Sequence, residues 1–522
     1  MMKHTYVIVC MALCSLSMAA QQSNRESYRI TKNMTIYSDV MRQLDMNYVD
    51  TLDYEMLTET AINQMLRRID PYTMYIPKRE DDNLRMMTTG KYGGIGAIIM
   101  QRDSAVYIAE PYEGMPAQLN DVLAGDKILE VDGMKCSKKT TKEVSDRLRG
   151  KPGTTVHLVL EREGEAKPIV REIERKEIHL PAVSYAKAME NKTGYVLFSE
   201  FTAGSAQDFL IAVDKMVKQD GIDRLIIDLR SNGGGIIDEA LQLVSYFVDK
   251  GTEVVSTKGK IASSCRSYTT STSPLYRDMP LVVLVDGNSA SAAEIVSGGL
   301  QDLGRAKLIG QRTFGKGLVQ SVRPIAYDGH VKITTAYYYL PSGRCIQAID
   351  YNKARKDGKA EKDTTGGVLP DIVLTDSQKV DISYTLYAKN MLFDYSVRYH
   401  REHATVASPE EFELTDEEIE QFIQFLDEKK FSYETETSKF YEDMLRMARH
   451  EDIDTTLLQE LEAIKARLKP SYRDAIMRNL DEVKQALGAE IMERYYYQKG
   501  RIAFLLRYDK ELKRAKEEIG DW

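Results

Sequence analysis

Cysteine, net positive charge and long apolar runs are what this chain has little of. It carries five cysteines in 522 residues. Cys10 and Cys14 fall in an N-terminal apolar run, which leaves Cys136, Cys265 and Cys345. Three is an odd number and none has metal-ligand spacing, so a disulfide scaffold and a cysteine metal site are excluded and all three read as structural. The formal net charge is −8, which gives no sign of a nucleic-acid partner. Beyond the first twenty residues no stretch is long and apolar enough to span a bilayer. Met1 to Ala20 itself has Lys3 and His4, an apolar run from Tyr6 to Leu16, and small residues at Ser17 and Ala19. That is the pattern of a secretory signal cut after Ala19 or Ala20. The mature chain is expected to be exported, in a periplasm or another extracytoplasmic space. Its length predicts three or four parts rather than one domain.

What the chain does have is concentrated between Leu281 and Gln320. The apolar run Leu281–Val285 predicts a buried parallel strand. Asp286-Gly287-Asn288 is a turn, and Ser289-Ala290-Ser291-Ala292-Ala293-Glu294 reads as a helix start. Ser291 then sits between a strand end and a first helical turn, where free N–H groups favour developing negative charge. Further on, Lys316 stands between Gly315 and Gly317. A serine hydroxyl needs an adjacent base to be a nucleophile. A lysine serves as that base only when its amine is neutral. Each residue alone has a plain alternative, a helix N-cap for Ser291 and a solvated loop position for Lys316.

Taken together, SASAAEI and TFGKGLVQ resemble the C-terminal processing (tail-specific) serine peptidases, and the resemblance runs from about Tyr37 to Leu374. It implies Ser291 as nucleophile, Lys316 as base and Gln320 as the residue orienting the lysine. It also implies an oxyanion hole from the backbone of Ala292 and of a glycine after the strand Leu225–Arg230, Gly234 or Gly235, and no metal or cofactor. The implied fold is an α/β core of the crotonase or Clp-protease type. Asp302 reads as a structural helix-end residue, although an acid here matters in some relatives, and Glu294 as a first-turn residue favoured by the helix dipole.

Five parts are expected: a signal peptide at 1–20, an N-terminal helical arm at 21–90 that braces or dimerises the core, a PDZ domain at 91–176, the peptidase core at 177–376 and an extra helical domain at 377–522. The PDZ resemblance rests on Gly93-Gly94-Ile95-Gly96-Ala97, on the turn and strand Leu123–Gly133, on a helix from Thr140 to Leu148, and on strands Thr155–Glu161 and Pro168–Glu174. Such a domain adds a peptide beside an edge strand and captures its carboxylate. The peptide is expected along the strand starting at Gly94, its carboxylate on Ile95, Gly96 and Ala97 and its apolar end on Val144 and Leu148. Asn352–Gly367 reads as a loop. Thr415 and Glu418 form a capping-box pattern before Ile419, Phe422, Ile423 and Leu426, and no catalytic motif follows. The expected partners are proteins or peptides with exposed C-termini, with a homodimer and peripheral membrane association as further expectations. The rival class is a noncatalytic PDZ scaffold, against which Ser291, Lys316 and Gln320 argue.

Overall fold

The computed structural model describes residues 27–359, 361, 363, 365–375, 381–451, 453–468 and 471–520. The expected signal segment lies outside them. Among the described residues no helix is long and apolar enough to cross a membrane. Residues 27–47 are helical, and Ile30, Met34, Ile36 and Val40 on this helix are exposed. A second helix, α1 (Tyr54–Arg67), is capped by the Asp53 carboxylate, which accepts the N–H of Met56.

The PDZ region is an antiparallel sheet in the order β1 (Ala97–Arg102), β2 (Ala105–Pro111), β3 (Lys127–Val131), β4 (Thr155–Glu161) and β5 (Ile169–Glu174), with β1 at an edge. Helix α2 (Thr141–Leu148) is started by a capping box between Thr140 and Glu143. Alternation on β4 sends Val156, Leu158 and Leu160 inward, where they meet Val144 and Leu148 of α2. The glycine run does not open the edge strand, as its sequence suggests. Lys91–Gly94 instead forms a two-stranded antiparallel ribbon with Lys176–His179.

The core sheet follows in the order β6 (Val183–Met189), β7 (Thr193–Phe198), β8 (Arg224–Asp228), β11 (Leu281–Val285), β12 (Lys307–Gly310) and β15 (Ile372–Val373). All neighbours from β7 onward are parallel. Every residue of β11 is buried, as a strand covered on both faces requires. Helices α3 (Ser205–Asp220), α4 (Ile237–Ser245) and α5 (Ala292–Asp302) contribute to the large core on one face. A second sheet pairs β13 (Leu318–Pro324) with β14 (His330–Tyr339), and β14 with β9 (Glu253–Gly259), which also pairs with β10 (Arg266–Thr269). The segment after β14, expected as loop, begins with a helix over Tyr351–Asp357 capped by Asp350.

The C-terminal region does not stand apart as one helical cap. Helices α6 (Asp381–Ala388), α7 (Met391–Glu402), α8 (Asp416–Glu428) and the long α9 (Leu480–Leu505) share their own core. The last helix, α10 (Lys510–Gly520), leaves that core and lies on the other face of the catalytic sheet, where Leu512, Ala515 and Ile519 pack with Ile226, Val282, Leu284 and Ile309. Spacing of three and four residues puts that triplet on one stripe. Burying a leucine or isoleucine in this way contributes about 1.5–3 kcal/mol relative to leaving it in water. Helices α6 to α9 thus keep a core separate from that of the catalytic sheet, and α10 alone among these helices returns across the expected boundary at 377 to pack on the sheet.

The helical region also clasps the PDZ sheet. Arg102 of β1 forms a two-pronged pair with Asp394 of α7, both contacts at 2.6 Å. Arg401 donates to the Glu163 carbonyl at 2.6 Å and its carboxylate at 2.9 Å. On β2, the Ala109 carbonyl accepts from Arg494 at 2.8 Å, and the buried Glu110 accepts from Gln498 Nε2 at 3.0 Å. The α9 backbone turns to a left-handed φ of 56° at Tyr497, beside that contact. Burial and the nearby Glu493 charge push Glu110 up to about 7, against the pull of Gln498 and Arg494. A carboxyl raised in the folded state stabilises most below its ordinary value near 4.5 and loses that contribution as pH climbs through about 7. Glu110→Gln is therefore expected to match the parent protein in thermal stability at pH 5 and exceed it at pH 8. Parallel curves between these pH values would contradict the assignment.

Candidate functional site

Three neighbouring parallel strands deliver three loops to one place. β8, β11 and β12 are adjacent, so the turns after their C-terminal ends meet above the sheet edge, where open α/β sheets hold their ligands. The turn after β8 is Ser231–Gly235, the turn after β11 leads to Ser291, and the loop after β12 carries Lys316.

Ser291 occupies the sharp turn into α5 with φ 57° and ψ −114°. A non-glycine residue held there costs on the order of 1–3 kcal/mol and persists only where its surroundings fix it. Several bonds do so. The Asp286 carboxylate accepts the N–H groups of Asn288 and Ser289 at 3.0 and 2.9 Å, and of Ser231 at 2.9 Å. Ser289 Oγ donates to the Leu229 carbonyl at 2.8 Å. Ala290 N–H donates to the Asn232 carbonyl at 2.9 Å, tying the serine turn to the glycine turn. The Ser291 side of the site is half-buried.

Lys316 lies in a loop whose glycines permit close packing. At Gly315, with φ 87°, an added Cβ would stand 2.5 Å from the Ala348 Cβ. Gly317 N–H donates to Gln347 Oε1 at 2.8 Å. Two buried side chains fasten the lysine loop to the serine turn. Glu294, 0 % exposed, accepts the N–H of Ser291 at 2.8 Å and that of Lys316 at 2.9 Å on one oxygen. Its other oxygen accepts the Thr313 hydroxyl at 2.6 Å and the Gly315 N–H at 2.8 Å. Burial pushes the Glu294 carboxyl up and these four donors oppose it. Since every neighbour is a donor, the ionised form is the one that fits. From the opposite side the buried Tyr338 hydroxyl of β14 reaches the carbonyls of both Lys316 and Ser291, the latter at 3.1 Å. Glu294 is thus far more than a first-turn residue. The Ser-x-x-Glu spacing was its only trace in the sequence, and Tyr338 left none among the three tyrosines Tyr337–Tyr339.

The glycine turn touches the serine directly. A Cβ at Gly234 would lie 2.6 Å from the Ala290 carbonyl oxygen, 2.7 Å from Ser291 Cβ and 2.8 Å from Ala292 N. Gly234 N–H, however, donates to Asn232 Oδ1 at 2.9 Å, so it is not free in this conformation. Among the described residues the N–H groups of Gly235 and Ala292 have no partner. Gln320 lies on β13 and its amide donates to Thr334 Oγ1 at 3.3 Å and to the Leu318 carbonyl at 3.4 Å. Asp302 accepts Ser342 N–H at 3.0 Å and pairs with Arg344 at 2.7 Å.

In the PDZ region Gly94, Ile95, Gly96 and Ala97 precede or begin the open edge of β1. The N–H groups of Ile95 and Gly96 have no partner among the described residues, while their carbonyls accept from Ala117 and Tyr112. Val144 and Leu148 do not offer the expected apolar floor. Val144 is 0 % exposed and Leu148 5 %, because i,i+4 spacing on a helix that covers a sheet points both into the domain core.

Residues 192–373 match the sequence profile of peptidase family S41, 107–162 that of a PDZ domain, and 382–519 that of a probable PDZ-protease C-terminal helical domain. The chain belongs to peptidase family S41, the carboxy-terminal-processing serine proteases. It is 34 % identical over 364 residues to the carboxy-terminal-processing protease of Bartonella bacilliformis, an alignment covering 69 % of this chain and 79 % of that protein. It is 32 % identical over 319 residues to a probable CtpA-like serine protease of Staphylococcus aureus, covering 60 % of this chain and 62 % of that one. Among solved structures, the photosystem II D1 C-terminal processing protease is 28 % identical, with a TM-score of 0.37, over 63 % of this chain and 84 % of its own.

Proposed function

We propose that the protein is an exported serine endopeptidase that cleaves extracytoplasmic proteins or peptides near their C-termini through Ser291 and Lys316. The observation that carries this reading is the single buried carboxylate of Glu294, which accepts the main-chain N–H of both residues. In the proposed reaction Lys316 takes the hydroxyl proton as Ser291 Oγ bonds to the scissile carbonyl carbon. The tetrahedral oxyanion is stabilised by N–H groups of Ala292 and the glycine turn. The leaving amine departs with the proton returned by Lys316. The Lys316 amine then takes a proton from water as that water attacks the acyl carbon, and gives it to Ser291 Oγ as the acyl group is released. Gln320 is assigned to orient Lys316. The test is hydrolysis of a reduced, alkylated protein with an apolar C-terminus, read together with covalent labelling of Ser291 by a fluorophosphonate. No cleavage by the folded, full-length enzyme, or labelling elsewhere than Ser291, would sink the proposal.

Export is assigned to Met1–Ala20, and an N-terminus beginning after Ala19 or Ala20 in the protein recovered from its host would support it. The PDZ region is assigned to hold substrate C-termini. The open edge of β1 supports strand addition, and the unpartnered N–H groups of Ile95 and Gly96 support carboxylate capture. Amidating the C-terminus of a bound apolar peptide is expected to weaken its affinity by roughly tenfold, since one charge-assisted contact is lost. Equal affinity for acid and amide would remove the carboxylate site from this loop.

A further inference from the structure

The C-terminal helix lies on the face of the sheet away from α5, yet one side chain joins it to the glycine turn. β8 ends at Asp228, and Arg230 follows two residues later. Its Nε lies 3.0 Å from both carboxylate oxygens of Asp228. Nη1 donates to Glu511 and Nη2 to Asp509, each at 2.5 Å. Asp228 is further fixed by the buried Tyr195 hydroxyl at 2.6 Å. Asp509 also caps α10 by accepting the N–H of Leu512 at 2.8 Å. The planar guanidinium with its fixed fork of donors is the group suited to hold three carboxylates at once. All of them are shielded, with side-chain exposures of 2, 13 and 20 % for Asp228, Asp509 and Glu511.

From Arg230 the chain enters Ser231 at φ 58°, then Asn232, whose amide holds the Phe198 carbonyl at 2.7 Å and whose Oδ1 takes the Gly234 N–H. Gly234 abuts Ala290, Ser291 and Ala292. Between the guanidinium and that contact the chain is pinned at Ser231, whose N–H is held by Asp286 at 2.9 Å, and at the buried Asn232, which ties the path of the glycine turn to that of Arg230.

We propose that Arg230 is a positioning residue for acyl transfer, held by Asp509 and Glu511 at the head of the C-terminal helix, so that the helical region is a working part of the peptidase site. This rests on the reading of Ser291 as nucleophile. Because α9 clasps the PDZ sheet and runs on into α10, the same helix pair links the peptide-holding region to the glycine turn.

The test uses the full-length enzyme and spares Arg230, whose removal would strand three carboxylates. Asp509→Asn keeps an oxygen for Leu512 N–H, and Glu511→Gln keeps the shape. Lys307→Gln is the control: it breaks the Lys307–Glu518 pair on the same helix, 3.1 Å in length, without touching Arg230. Asp509→Asn and Glu511→Gln are each expected to lower kcat roughly tenfold, less than loss of an oxyanion donor, with KM nearly unchanged. Fluorophosphonate labelling of Ser291 should slow in parallel, and Lys307→Gln should leave both rates as they are. Parent-like kcat and labelling in both variants would overturn the proposal, as would a loss that Lys307→Gln shares and that follows the folded fraction. If hydrolysis survives Ser291→Ala, the nucleophile assignment falls and takes this inference with it. Ser291 labelled normally in the parent and equally fast in Asp509→Asn would overturn this inference alone.

Discussion

Ser291→Ala and Lys316→Ala are each expected to lower peptide hydrolysis by at least about 10⁴-fold, and the double variant by no more than the worse single one. The nucleophile and its base act as one unit, so removing either leaves only what the oxyanion donors and substrate binding supply. Neither change should unfold the chain. The bonds that fix the serine turn come from Asp286, Asn232 and Glu294 to main-chain atoms, and alanine keeps that main chain. The Lys316 main chain stays held by Glu294 and Tyr338. Hydrolysis rates, with thermal midpoints measured beside them, decide the matter. Near-parent activity in either purified, folded variant would end the Ser–Lys assignment.

The second large effect is expected at a residue without a reacting atom. Glu294→Gln keeps the volume and one acceptor oxygen but turns an amide NH₂ toward two donors. Depending on its orientation these are the Ser291 and Lys316 N–H groups or the Thr313 hydroxyl and Gly315 N–H. Leaving a buried donor unsatisfied costs about 1–3 kcal/mol, so two together displace one loop from the other. Activity should fall by about 10²-fold or more, which corresponds to roughly 3 kcal/mol. Tyr338→Phe removes one donor that bridges two carbonyls, and a smaller loss is expected. Glu294→Gln with unchanged kcat, at a temperature where it is folded, would show that the carboxylate does not set the Ser291–Lys316 geometry.

The sequence carried the local chemistry because that chemistry is written over short spans. An apolar strand, a polar turn and a small-residue helix start identify the place of Ser291 within fourteen residues of Leu281–Glu294. Glycines flanking Lys316 mark a loop that must approach other backbone. The strand Thr155–Glu161, expected from the PDZ resemblance, is β4 with the same bounds, and helical spacing gave the helix after Thr415. The capping box at Thr415 was legible for the same reason, since both partners lie within one turn.

What lay beyond reach depended on atoms far apart in the chain. Val144 and Leu148 share a helix face, but only the packed sheet decides whether that face meets a groove or a core. Glu294 looks like any first-turn acid until β12, lying parallel to β11, brings Thr313, Gly315 and Lys316 over it. Gly234 N–H is committed to Asn232 by a turn whose path no pattern states. The head of α10 meets Arg230 across about 280 residues of chain. By itself the sequence determined which residues could carry acyl transfer and which stretches would be strands and helices, because periodicity and turn chemistry act locally. Only the tertiary structure decided which of them share buried hydrogen bonds, because the strand order β8-β11-β12 and the return of the last helix to the sheet are set by burial of whole faces.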